Sequence, residues 1–344
     1  MNDFEYPNEP KNEITMTESE KKSHKKVFSK LGFAFLSYLI ISQGLSLLAG
    51  YVFGMYAPHL LKSNEFTLVL SSVIQYLIAF PILFGLISNM PKQAPEKTPM
   101  DAKRFLKYGA ASMFVMYVGN YLSTMVMSYI EALLGRTPEN AVSVVLDNTN
   151  VIFTVFIVGI IGPIVEELMF RKLFIDRLTP YGEAVAIFFP ALMFGLFHGN
   201  FYQFFYAFFL GAIFSYIYVK TGKIIYSTIL HVFINLFCGV LPSAIMGMFN
   251  YEEFMQMALD GMLTEEYINA NMTPILLLGA YEFLLLGMVG IGIFVFTRNV
   301  RNIRINKGEV RFPKGEGADI MFFNRGTVAL ISACLLLMAY SIFA

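Results

Sequence analysis

The stretch VIFTVFIVGIIGPIVEELMFR, from Val151 to Arg171, decides how the rest of the chain is read. No charge occurs from Val151 to Val165. Two glutamates, Glu166 and Glu167, then stand side by side, with apolar Leu168-Met169-Phe170 directly after them. A carboxylate at membrane depth is costly, so a chain that keeps two there has a use for them.

The surroundings support membrane depth. Hydrophobic residues make up 56% of the 344 residues, charged residues 15%, and the mean hydropathy is +0.59. Ordinary soluble domains carry about 25% charged residues, so composition places the chain in a bilayer. Cys238 and Cys334 are the only cysteines, and both lie in apolar runs. This excludes a disulfide framework and a cysteine-based zinc site. Residues 1–30 are polar and charged, unlike a cleavable signal peptide, and read as a solvated, disordered tail.

A bilayer needs about 20 apolar residues per helix. Apolar runs occur at roughly 31–56, 66–88, 105–130, 150–170, 184–198, 202–219, 224–243, 274–297 and 326–343. The expected fold is all-α: a polytopic integral membrane helical bundle of about 8–9 transmembrane helices. Basic residues alternate between the runs. Of the 25, 23 fall in the tail and in 89–107, 171–177, 220–223 and 298–325; only Lys62 and Arg136 fall in the intervening segments. The positive-inside rule then puts the N-terminus in the cytoplasm and the C-terminus outside; the all-helical span pattern is bacterial in style, so a bacterial plasma membrane is expected. Segment 244–273 carries five acids and no lysine or arginine, with methionines and phenylalanines interleaved. It reads as an amphipathic surface helix. Gly50 and Gly54, a small-xxx-small pair, read as internal packing. Glu282, within 274–297, reads as an ion-paired or outer-leaflet acid rather than a proton-accessible or substrate-facing one.

The polar residues within the apolar runs are few. His198 ends the run Ala191–Phe197, and His231 lies in Ile224–Leu241 with Asn235 four residues on, hence on the same helix face. Glu167 and Arg171 are also i, i+4. Arg171 can therefore neutralise Glu167 and leave Glu166, about 100° round the helix, free. Thr179-Pro180-Tyr181-Gly182 is a turn. Counting from it, Glu166 and His198 both stand at about 22–24 Å, and His231 is about 12 Å past Lys223. Such a set suits two mechanisms. In one, Glu166 and His198 hold a water, Glu166 takes its proton, and His231 and Asn235 donate to the oxyanion. In the other, Glu166, His198 and His231 ligate Zn²⁺, which generates the hydroxide. Asn235 suits an oxyanion donor better than a zinc ligand.

At these residues the chain resembles the CPBP family, the CAAX proteases and bacteriocin-processing enzymes also called the Abi family. Glu166-Glu167-Leu168-Met169-Phe170-Arg171 matches Glu-Glu-x-x-x-Arg. Phe194-Gly195-Leu196-Phe197-His198 matches Phe-x-x-x-His, and His231-Val232-Phe233-Ile234-Asn235 matches His-x-x-x-Asn. The resemblance implies an intramembrane endopeptidase whose catalytic residues are Glu166, His198, His231 and Asn235, supported by Glu167, Arg171 and Phe194. It leaves open whether the enzyme uses no cofactor or zinc. Eukaryotic members trim prenylated CaaX proteins; bacterial members are linked to peptide processing, pheromone pathways and bacteriocin self-immunity. The implied organisation is a cytoplasmic tail at 1–30, N-terminal spans at 31–149, a catalytic core at 150–243, and an outer loop with C-terminal spans at 244–344. The expected partners are the lipid bilayer and a membrane-bound peptide or protein substrate, with no nucleic acid. Two other readings compete: a non-catalytic scaffold or immunity protein that binds a peptide partner, and a proton-coupled transporter.

Overall fold

The computed structural model describes residues 15–147 and 149–343, so the first part of the polar tail expected at 1–30 lies outside it. The described residues form helices and one isolated β-bridge, with no strand among them. The helices are α1 Glu18–Tyr56, α2 Asn64–Ser88, α3 Ala102–Leu134, α4 Ala141–Asp147, α5 Val151–Tyr181, α6 Glu183–Phe197 and α7 Phe201–Thr221. After them come α8 Ile224–Met246, α9 Tyr251–Leu259, α10 Glu265–Ala270, α11 Met272–Asn302, α12 Gly317–Phe322 and α13 Arg325–Phe343.

All nine apolar runs fall on helices, and eight are long and apolar enough to cross a bilayer. The protein is an all-α polytopic membrane bundle. The run at 184–198 forms α6, whose 15 residues span only about 22 Å, short of a hydrocarbon core of about 30 Å. It makes an antiparallel hairpin with α7, closed by the turn at Gly199-Asn200. Two apolar clusters flank this hairpin. One joins α1, α2, α5, α6 and α13 around Phe28, Phe35, Phe174 and Phe189. The other joins α3, α7, α8 and α11 around Met113, Phe214 and Leu230. The α3–α7 approach depends on Gly119: a Cβ there would lie 2.4 Å from the Tyr206 Cα.

Three spans change their winding ahead of a proline. Ile74–Ala79, Thr154–Ile161 and Asn235–Val240 are π-helical, and Pro81, Pro163 and Pro242 follow each by two residues. A proline has no N–H, and its ring presses on the carbonyl four residues back. Widening the turn relieves that clash and lets the helix continue past the proline. A fourth π segment, Leu168–Ile175, follows Glu167 with no proline beside it.

The segments expected on the basic face meet at one end of the bundle. Gln93 N–H donates to the Asp176 carbonyl, and Thr98 N–H to that of Thr221. Lys21 and Lys25 pair with Glu316 and Asp319. Residues 306–310 strap the turn between α5 and α6: Glu183 N–H donates to Asn306 O, and Val310 N–H to Pro180 O. Gly182, at φ 93°, allows this, because the strap backbone passes where a Cβ would sit (2.6 Å from Gly308 N). At the other end Arg136 donates to Ile342 O, and Tyr202 OH to Pro138 O.

Three local readings need correction. The tail is not disordered throughout, since α1 begins at Glu18. A capping box between Thr17 and Glu20 starts it, and the two ion pairs just named hold its first turns. Segment 244–273 holds two short helices, α9 and α10, rather than one. Gly261, at φ 67°, ends α9 with Met262 N–H bonded to Met257 O, and Thr264 caps α10. Among the described residues the Gly50/Gly54 pair meets no second spanning helix: a Cβ at Gly50 would meet nothing within 4 Å, and one at Gly54 only Leu61.

Candidate active site

Helix α5 presents the two glutamates in opposite environments. Glu167 is fully buried and pairs with the equally buried Arg171 at 3.0 Å, as the i, i+4 spacing predicts. The Arg171 guanidinium lies over the Phe194 ring (4.8 Å to the centroid) and near that of Phe214 (5.6 Å). Its Nε and Nη1 find no acceptor among the described residues. The aromatic faces thus supply part of what hydrogen bonds do not.

Glu167 also accepts from His231, Nδ1 to Oε1 at 3.1 Å. A carboxylate paired with arginine can only accept, so Nδ1 carries the proton. That turns Nε2 toward Glu166, whose Oε2 lies 3.5 Å away. The same logic fixes His198. Its Nδ1 sits 2.7 Å from the Phe194 carbonyl, which can only accept. Nδ1–H therefore donates, and Nε2 is left with a free lone pair. His198 caps the C-terminus of α6, and Gly199 (φ 66°) ends the helix immediately after it.

Phe194 is more than a spacer in the second motif. Its carbonyl anchors His198, its ring stands edge-on to both His198 and His231 (centroids 4.8 and 5.7 Å), and Arg171 lies against it.

Asn235 follows from Pro163. In the π segment of α5, Gly162 N–H bonds to Ile157 O. The next donor in that register would be the nitrogen of Pro163, which has no hydrogen, so the Val158 carbonyl is orphaned. Asn235 Nδ2 donates to it at 3.0 Å. Asn235 thus links α8 to α5 and has one amide hydrogen left for other use.

Glu166, His198, His231 and Asn235 all line one cavity of about 1130 Å³. Glu167 and Arg171 lie behind its wall. Tyr38, Tyr76 and Tyr206, from α1, α2 and α7, line the same cavity. The sequence reading missed them: with 19 tyrosines in the chain, a tyrosine in an apolar run is too common a signal. No three His, Cys, Asp or Glu side chains among the described residues are gathered as a metal-binding group.

Comparison with known proteins agrees with this core. Residues 148–237 match the family model described as type II CAAX prenyl endopeptidase Rce1-like. This core is similar to the CPBP family. At family level the similarity is to membrane-embedded proteases. Curated relatives are bacterial. The UPF0177 protein YxdF of Lactococcus lactis subsp. lactis (strain IL1403) is 28% identical over 174 residues, covering 50% of this chain and 91% of that protein. YdiL of Bacillus subtilis (strain 168), whose name proposes a membrane peptidase, is 22% identical over 175 residues, 49% of this chain and 70% of that protein. The membrane-embedded CAAX protease MroQ of Staphylococcus aureus (strain USA300) is 26% identical over 176 residues, 48% of this chain and 70% of that protein. No solved structure matches the chain at comparable significance.

Proposed function

We propose that the chain is an endopeptidase that hydrolyses a peptide bond of a membrane-associated peptide or protein, with 150–243 as its catalytic core and Glu166 as general base. The observation that carries this reading is the shared orientation of the two imidazoles. Each has its Nδ1–H on a fixed acceptor, and each belongs to a residue lining the cavity that Glu166 also lines. A water bound there gives one hydrogen to His198 Nε2 and the other to Glu166. Glu166 takes its proton as the water oxygen attacks the scissile carbonyl, and returns it to the leaving amine when the tetrahedral intermediate collapses. His231, protonated at Nε2, balances the two glutamates together with Arg171 and donates to the oxyanion. The remaining Asn235 amide hydrogen is the second donor. Glu167 positions His231 and does not touch the reacting atoms. A substrate helix must unwind locally to offer a carbonyl to this site. The concentration of basic residues at one end of the bundle supports a cytoplasmic N-terminus.

The test is a quantitative comparison of membrane and secreted peptides from a host making the wild type or Glu166→Gln at matched levels. Products that vanish with the variant while precursors accumulate support proteolysis; identical profiles overturn it. Chelation decides the cofactor. Turnover that survives exhaustive chelation keeps water activation on Glu166, whereas loss restored by Zn²⁺ would make Glu166, His198 and His231 the ligands.

A further inference from the structure

The cavity has a charge pattern that the hydrolytic reading leaves unused. Among the described residues lining it there is no lysine and no arginine; besides the two histidines, the charged side chains are Glu166 and Glu282. Glu282 lies ten residues, about 15 Å, into α11. The sequence favours an ion pair or an outer-leaflet position for it. It makes no ion pair or hydrogen bond among the described residues, is exposed, and lines the cavity. An unpaired carboxylate in a spanning helix is expensive and marks a functional position.

The rest of the wall fits the same occupant. Gln43, Gln75, Asn120, Asn140 and Gln203 line it. Side-chain amides both donate and accept, and so suit a peptide backbone better than a hydrocarbon chain. The chain that continues from the cavity wall is acidic as well. Met246, at the end of α8, lines the cavity. The segment that follows, through α9 and α10 to the start of α11, carries Glu252, Glu253, Asp260, Glu265 and Glu266 without a lysine or arginine. An acidic surface of one charge sign concentrates the opposite charge near it.

We infer that Glu282 is a specificity residue that receives a cationic group of the substrate, so that the cavity takes basic peptide segments entering from the 244–273 face. The inference rests on the endopeptidase reading. The cationic group is a Lys or Arg side chain or a free peptide amino terminus. An anionic group, such as a C-terminal carboxylate, would meet only acids and amides there.

The test uses the full chain in lipid nanodiscs and fluorogenic peptides of one host sequence. The varied positions carry Lys, Gln or Glu, each with a free or an acetylated amino terminus. Wild type should prefer Lys over Gln by about tenfold, expressed in KM rather than kcat. Glu282→Gln should erase that preference and Glu282→Asp should keep it. A preference removed by acetylation instead, and again dependent on Glu282, assigns the cation to the amino terminus. Equal KM for all peptides in the wild type, or a preference that survives Glu282→Gln, overturns the inference. Anisotropy of the same peptides on the Glu166→Gln protein reads the subsite without turnover. A Glu282-dependent preference there, in a protein whose wild type cleaves none of the peptides, keeps the subsite and retires the endopeptidase reading.

Discussion

Glu166 keeps 32% of its side-chain surface exposed, on the cavity, while Glu167, the next residue, keeps none. One is held by nothing closer than an imidazole nitrogen at 3.5 Å; the other is locked by an arginine at 3.0 Å and a histidine at 3.1 Å. The helix turns by about 100° between them, which suffices to put one in the reaction space and the other in the wall. The contrast teaches that the paired-glutamate motif is two devices joined: a base that must stay free, and an anchor that must not.

The same substitution at each position gives the sharpest contrast. Glu166→Gln should lower turnover by about 10³- to 10⁴-fold while the protein accumulates in the membrane and melts as the wild type does. Glu167→Gln should instead cost about 3–5 kcal/mol of stability by leaving Arg171 buried and uncompensated. Thermal unfolding in detergent and membrane yield would read this, and Glu167→Gln with Arg171→Met should recover part of the loss. If the two single variants behaved alike, the division of roles would fall.

His231 bridges the two environments, so its loss should show on both sides. His231→Ala is expected to lower kcat by about 10²- to 10³-fold, as for a missing oxyanion donor, with a smaller loss of stability. A variant that keeps full turnover would confine His231 to the wall.

The smallest effect expected concerns Asn235. Asn235→Ala leaves the Val158 carbonyl without a partner, at a cost of about 1–3 kcal/mol. In a Pro163→Ala background the new N–H can take that carbonyl, so the stability loss from Asn235→Ala should shrink. A double-mutant cycle with no coupling would remove the link between the proline and the asparagine.

Much of this was legible in the sequence, for reasons of period and depth. Apolar runs of span length fix the helices, the alternation of basic residues anticipated which loops share an end, and the i, i+4 spacing gave the Glu167–Arg171 pair. Where the reading failed, the deciding partner was remote in the chain. The first turns of α1 depend on Glu316 and Asp319, and Asn235 is occupied because of Pro163. Glu282 read as an ion-paired or outer-leaflet acid rather than a substrate-facing one, because a single sequence does not say which face of a helix lines a hollow; it forms no ion pair among the described residues and lines the cavity.

The sequence by itself determined that the chain is a membrane bundle and named the residues able to do chemistry, because hydropathy and residue type are local properties. Only the tertiary structure decided which nitrogen of each histidine faces the cavity, and that the cavity wall holds no lysine or arginine among the described residues. Those are relations between helices far apart in the chain, set by which carbonyl, ring or carboxylate each side chain meets once the spans have packed.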